Sequence, residues 1–133
     1  MTIIVVNWKN YDDTKSCLKP LHQTKNTDLK IIVVDNAIQK NPAEKLKSNF
    51  PNITLLPQKK NLGFQGAINI GIKNGFILSL EYILLLNNEP IAPRNFINPL
   101  LIPFHPIPQM SPLHPKKMFM NNPITYRNTG VIY

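Results

Sequence analysis

Residues 31–44 read IIVVDNAIQKNPAE, and this stretch decides the fold class. Ile31, Ile32, Val33 and Val34 form a continuous apolar, β-branched run, the pattern of a strand covered on both faces. A helix start follows: Asn41 can cap, Pro42 suits the first turn, and Glu44 can reach back. A strand without polar alternation that leads into a helix is the front half of a parallel strand–helix–strand unit.

The same alternation continues outward. Toward the amino terminus, Ile3-Ile4-Val5-Val6 is a second such run, followed by a helix predicted from Thr14 to Gln23 with Asp12 and Asp13 as N-caps. Toward the carboxyl terminus, Asn52 to Leu56 reads as a strand. Gln65 to about Leu78 reads as a helix with apolar residues at Ile68, Ile72, Phe76 and Leu80, and Tyr82 to Leu86 as a fourth strand. The order βαβαβαβ predicts a right-handed, doubly wound α/β domain, a mainly parallel sheet with helices on both faces. Ligands of such sheets bind outside the carboxyl ends of the strands. That directs attention to Asn7-Trp8, Asp35-Asn36, Lys60-Asn61 and Asn87-Asn88-Glu89.

The pattern changes at Pro90, since nine of the 13 prolines lie from there onward. Pro99, Pro103, Pro106, Pro108, Pro112 and Pro115 oppose any long helix or central strand. Arg94 to Ile102 is at most a short helix, and 103–123 is expected to be extended or poorly ordered.

The 133 residues suit one domain with a real core. No apolar run reaches the roughly 18 residues of a membrane span, and the start, MTIIVVNWKN, lacks the pattern of a signal peptide. Cys17 is the single cysteine and cannot form an internal disulfide, so a reducing cytosol is the default location. The net charge of +8 divides into 11 Lys − 7 acids = +4 up to Glu89 and +4 from Arg94, Lys116, Lys117 and Arg127 beyond it. The lysines are scattered and no aromatics interleave with them, which argues for a solvated surface and against a nucleic-acid partner.

Four motifs stand in register with this frame: VVNWKNYDD, IIVVDNA, NLGFQGAINIGI and YILLLNNEPI. Together they resemble family 2 glycosyltransferases, in particular the bacterial rhamnosyltransferase-like members that build surface polysaccharides. The resemblance covers roughly residues 3–100, and more weakly MSPLHPKKMFMNNP. It implies a GT-A fold: a nucleotide-sugar-binding α/β domain at 1–102 and, at 103–133, a Pro-rich remnant of the acceptor-side region. It also implies a nucleoside-diphosphate sugar as donor and a glycan or lipid-linked acceptor. The expected location is cytoplasmic, with peripheral contact at the inner face of the membrane.

By this resemblance, Asn7 and Trp8 stand beside the nucleotide base, although Trp8 reads equally well as core. Asp35 accepts hydrogen bonds from base or ribose, with Asn36 as a weaker neighbour. An N-cap role for Asp35 is the alternative, and the ligand role is preferred because a strand-end carboxylate faces the crevice. Asn61 and Gly63 lie beside the ligand; Gly63 admits a close backbone approach or a positive φ. Gly66 serves close packing, and the helix start offers N–H groups to a diphosphate. Asn69 matches a polar position facing the nucleotide, or is an ordinary surface amide. Asn87, Asn88 and Glu89 occupy the place of the metal motif, with Glu89 as the ligand of Mn²⁺ or Mg²⁺ on the diphosphate.

Some positions depart from the family pattern. Ala37, Ile38, Gln39 and Lys40 follow the second motif where a Ser and an acid are usual, and Ala67 and Ile68 replace a common Gly and Asn. Inverting members use a carboxylate beyond the metal motif as general base, and this chain has no Asp or Glu after Glu89. His105 and His114 are the conventional substitutes, and both read as ordinary histidines in proline-rich sequence without an orienting acid. Two readings follow: an enzyme that transfers sugar, or an incomplete, non-catalytic nucleotide-binding module.

Overall fold

A computed structural model describes residues 1–24, 29–37, 40–77, 83–88, 116–119 and 122–128. Four parallel strands form one sheet: β1 (Thr2–Asn7), β2 (Lys30–Asp35), β3 (Thr54–Pro57) and β4 (Ile83–Asn87), in the order β3-β2-β1-β4. Between them lie α1 (Tyr11–His22), α2 (Lys40–Asn49) and α3 (Gly63–Ile77). The chain steps outward from β1 to β3, then crosses back through α3 so that β4 pairs with the free side of β1. This is the doubly wound α/β architecture expected from the strand–helix alternation.

The period-2 geometry of the strands sorts the apolar runs between two layers. Ile3, Val5, Ile31, Val33, Leu84 and Leu86 pack with Cys17, Leu18 and Leu21 of α1, with Leu46 of α2, and with Phe50 and Ile53 just after it. Ile4, Val6, Ile32, Val34 and Ile83 face the other way, toward Ala67 of α3, with Ile68 and Ile72 packed around them. Every residue of β1 is buried, which explains why its run shows no polar alternation. Each fully buried Val, Leu or Ile contributes about 1.5–3 kcal/mol. Helix α3 approaches β1 closely: a Cβ added at Gly71 would lie 2.5 Å from Cγ2 of Ile4, so only glycine fits that contact.

Helix boundaries differ from the expectation in three places. Helix α1 begins at Tyr11, and its N-cap is Asn10, not Asp12 or Asp13. The Asn10 side chain accepts from the Asp13 amide at 3.3 Å, and its own amide donates to the Asp13 carboxylate. The two acids therefore fill the first turn, where they favour the helix dipole. Helix α2 begins at Lys40, so Asn41 lies inside it instead of capping it. Helix α3 starts two residues early, at Gly63.

Two strands are described within the Pro-rich region. β5 (Lys116–Phe119) and β6 (Asn122–Asn128) pair antiparallel, with a register shift between Met118 and Phe119. Pro123 falls in the stretch that this shift leaves out of the ladder, as a residue without an amide donor requires. Arg94 to Ile102, most of 103–123 and Glu89 lie outside the described residues.

Candidate functional site

The carboxyl ends of β1, β2 and β4 converge on a polar network and a cleft above it. At its base, Asn7 and Asp35 are register partners on adjacent parallel strands and are almost fully buried. The Asn7 amide donates to Asp35 Oδ1 at 2.9 Å, and the Ala37 backbone amide donates to the same oxygen at 3.1 Å. The Tyr11 hydroxyl donates to Asp35 Oδ2 at 2.7 Å. Burial first, then this hydrogen bond and the Asp35 charge, hold the Tyr11 phenol well above its ordinary range.

The network extends to β4 through Thr14. The Thr14 hydroxyl lies 2.9 Å from Asn7 Oδ1 and 3.0 Å from the Asn10 carbonyl, and it accepts from the Asn88 amide at 3.0 Å. A run of hydrogen bonds thus joins Asn88, Thr14, Asn7, Asp35 and Tyr11 across β4, α1, β1 and β2. Buried polar groups bonded in this way rigidify the site they underlie. Beside them, burial pushes the Cys17 thiol up to about 12, and its Sγ lies 3.8 Å from the Asn87 carbonyl.

Above the network is a cleft of about 400 Å³. Trp8, Asn10, Asn36 and Asn61 line it with Val6 below, and Gly63, Phe64, Asn87 and Asn88 complete its wall. Its position is the topological switch point: β1 turns to α1 on one face, and β4 arrives from α3 on the other. Among the described lining residues the polar groups are carboxamides, the Trp8 indole N–H and backbone, with no charged side chain. Lys9 lies next to the rim, with Nζ 4.9 Å from the Trp8 ring centroid.

Two backbone turns shape the rim. After β1, the Asn10 amide donates to the Trp8 carbonyl at 2.8 Å around Lys9, which has φ 59°. This is a strained three-residue turn. After β3, Gly63 has φ 68°, the positive value the sequence allowed for. Its amide donates to Asn61 Oδ1 at 2.9 Å, and its carbonyl accepts from the Asn36 amide at 3.0 Å. The buried Asn36 thus holds the β3–α3 turn from beneath, and Leu62 donates back to its Oδ1 at 3.4 Å.

The structure brings Trp8, Asn36, Asn61, Gly63 and Asn87 together around the cleft. Asn7 and Asp35 lie under it, each already hydrogen-bonded within the protein. Trp8 is 44% exposed, so it is a rim residue and not core. Asp35 caps no helix, because α2 begins only at Lys40; its Oδ1 instead holds the Ala37 amide. Asn69 is exposed on α3 and outside the cleft lining. Glu89, the metal ligand implied by the resemblance, lies outside the described residues, directly after Asn88. The sequence reading missed Asn10, Tyr11, Thr14 and Phe64 as site residues, and it set Asn88 only within the metal motif. The N-cap pattern Asn10-x-x-Asp13 was the signal available for the first of these.

The Glycosyl transferase family 2 model matches residues 2–104. Among solved structures, the mannosyltransferase PcManGT from Pyrobaculum calidifontis, in complex with GDP-Man and Mn²⁺, has a TM-score of 0.75 at 12% identity, over 99% of this chain and 43% of that one. TarS from S. aureus (residues 1–349), in complex with UDP-GlcNAc, has a TM-score of 0.66 at 14% identity, over 98% of this chain and 44% of that one. A 4-diphosphocytidyl-2C-methyl-D-erythritol synthase has a TM-score of 0.67 at 12% identity, over 99% of this chain and 74% of that one. Comparison with curated proteins finds no match. The chain thus spans less than half the length of either PcManGT or TarS 1–349, and identities this low speak for the shared fold alone. With 103 of its 133 residues matched (104 − 2 + 1 = 103), the chain belongs to glycosyl transferase family 2.

Proposed function

We propose that this chain binds the nucleoside diphosphate of a sugar donor in the cleft between the ends of β1 and β4. It would serve as the donor-side half of a transferase that moves the sugar to a glycan or lipid-linked acceptor. The carrying observation is the cleft's place at the point where strand order reverses, the usual ligand site of doubly wound sheets. The family membership and two solved relatives, one with GDP-Man and one with UDP-GlcNAc, support the choice of ligand.

In this reading Trp8 contacts the base and Asn7 fixes the strand end beneath it. Asp35 accepts from base or ribose once the Tyr11 hydroxyl turns aside. Asn36, Asn61 and Gly63 present the β3–α3 turn to the diphosphate, with Asn87 opposite and Asn69 further along α3. Residues 1–102 would form the donor part and 103–133 the acceptor-side part.

A divalent cation is part of the proposal, and PcManGT supports it by carrying Mn²⁺. Among the described residues no three His, Cys, Asp or Glu side chains come together, and the described lining offers only neutral oxygens. The protein's share would therefore fall to Glu89, with phosphate oxygens as the remaining ligands, an arrangement Mg²⁺ commonly uses. The ion would neutralise charge on the departing diphosphate.

A second reading, a nucleotide-binding module without transfer activity, is favoured by one observation: residues 90–133 contain no Asp or Glu to act as base. Among the described residues no helix is long and apolar enough to cross a membrane. Work on a lipid-linked acceptor would then rest on peripheral contact at the cytoplasmic face.

Calorimetric titration with UDP, dTDP and GDP, with and without Mn²⁺, tests the reading. Saturable heat strengthened by Mn²⁺ is expected for at least one nucleotide. Absence of heat for all three at millimolar ligand contradicts it. Donor turnover in the presence of acceptor separates the transferase from the module.

A further inference from the structure

Trp8 and Phe64 are the exposed large hydrophobic side chains among the described residues, at 44% and 58%, and both line the same cleft. They come from different parts of the fold: Trp8 follows β1, and Phe64 opens α3. The described residues with positive φ are Lys9 and Gly63, and each is the immediate chain neighbour of one of these rings. Lys9 is the strained one of the two, since glycine adopts a positive φ at no steric cost, and strain at a non-glycine residue gathers at ligand clamps. Here the surrounding contacts are explicit. The Trp8 carbonyl holds the Asn10 amide across Lys9, while buried Asn36 and exposed Asn61 bracket Gly63.

An exposed phenyl ring at a helix start gains nothing from solvent, and Ala67 and Ile68 nearby already supply α3's contact with the sheet. We propose that Phe64 is the second wall of an aromatic clamp whose first wall is Trp8, and that the clamp takes the planar base of the donor nucleotide. Asn36 is then a positioning residue: its carboxamide fixes the Gly63 turn that sets Phe64 in the cleft. A base fits the two rings: it offers them two π faces, and it offers an edge of donors and acceptors to the surrounding carboxamides. Lys9 stands against the Trp8 ring at the rim, its Nζ 4.9 Å from the centroid. The inference rests on the proposed nucleotide site and adds to it a residue and a mode of recognition.

Trp8 is the single tryptophan, so its fluorescence reports directly on ring stacking. The full chain, Phe64→Ala, Phe64→Trp and Asn36→Ala would be titrated with UDP, GDP and inorganic pyrophosphate. Binding would be followed by calorimetry for every protein, and by Trp8 quenching in all but Phe64→Trp. Circular dichroism and thermal unfolding would check folding. Loss of one base–aromatic stack weakens binding roughly 5- to 150-fold. The clamp predicts a loss of that size for nucleotides in Phe64→Ala, little change for pyrophosphate, and recovery in Phe64→Trp. Asn36→Ala should also weaken nucleotide binding, by less than Phe64→Ala does. Nucleotide binding by the full chain that Phe64→Ala leaves unchanged would overturn the clamp and spare the nucleotide site. An equal loss for nucleotide and pyrophosphate would likewise overturn it, as a general effect on the turn. Failure of the full chain to bind any nucleotide would overturn both.

Discussion

Asn7 and Asp35 face each other across adjacent parallel strands and are joined by a 2.9 Å hydrogen bond, with the carboxylate only 1% exposed. The pair keeps a buried charge bonded and supports the cleft from below. Asn7→Ala removes a donor from Asp35 and an acceptor from Thr14, and should cost about 2–3 kcal/mol in urea unfolding. Asn7→Asp sets a second carboxylate against the first and should be worse at neutral pH. An Asn7→Asp variant as stable as the unchanged chain in the same unfolding measurement would argue against this geometry.

Tyr11 should act on stability and binding in opposite directions. Its hydroxyl occupies Asp35 Oδ2, the oxygen a bound nucleotide would need in the proposed site. Tyr11→Phe removes that donor and should lower stability by about 1–2 kcal/mol. It should also tighten nucleotide binding several-fold, because the ligand no longer competes with the phenol. Weaker binding in Tyr11→Phe would show that the hydroxyl assists the ligand.

The alkaline limb of stability follows from two raised pKa values. Burial pushes Cys17 from 9.0 up to about 12, and Tyr11 is raised above 10.0. For a group whose folded pKa is raised, the stabilisation is complete below the unfolded value and is lost as pH climbs toward the folded one. Urea midpoints should therefore hold steady up to about pH 9 and fall above it. Cys17→Ala should start lower, because of the cavity it leaves, but should decline less between about pH 9 and 10.5. A parallel decline in both proteins would remove Cys17 from the explanation.

The sheet was legible because its strands bury both faces, which leaves long β-branched runs such as Ile31 to Val34 without polar interruption. The rim was legible for a related reason: residues directly after such strands must reach the cleft, and Trp8, Asn36 and Asn87 do. What the sequence hid depends on contacts between distant positions. Thr14 joins the site through Asn7 and Asn88, 74 residues apart from the latter in the chain, and no local pattern announces that. Tyr11 falls before the predicted helix start at Thr14, and Asn10 is followed closely by two acids that are themselves good caps. Phe64 sat in a motif read for its glycines, so its exposed ring drew no attention.

The 133-residue chain by itself should not transfer sugar at a useful rate. General-base assistance is worth about 10²–10⁴-fold, and acceptor positioning about 10⁵ M or more in effective molarity. Residues 90–133 offer no carboxylate for the first, and the chain spans 43% of PcManGT's length. Assays of the purified chain with several donors, Mn²⁺ and free-sugar or lipid-linked acceptors should show at most trace turnover. Multiple turnovers abolished by Glu89→Ala would show that this chain carries the complete reaction.

Amide chemical-shift mapping tests most directly whether the cleft at the ends of β1 and β4 is the nucleotide site. Uniformly ¹⁵N-labelled protein would be titrated with UDP and with GDP in the presence of Mg²⁺, which avoids paramagnetic broadening. A nucleotide in the cleft should give saturable shifts concentrated at Trp8, Asn10, Asn36, Gly63, Phe64 and Asn88, with the Trp8 indole signal among the largest. Saturable shifts centred instead on the outer faces of α1 and α2, or no shifts with either nucleotide at millimolar concentration, would contradict it.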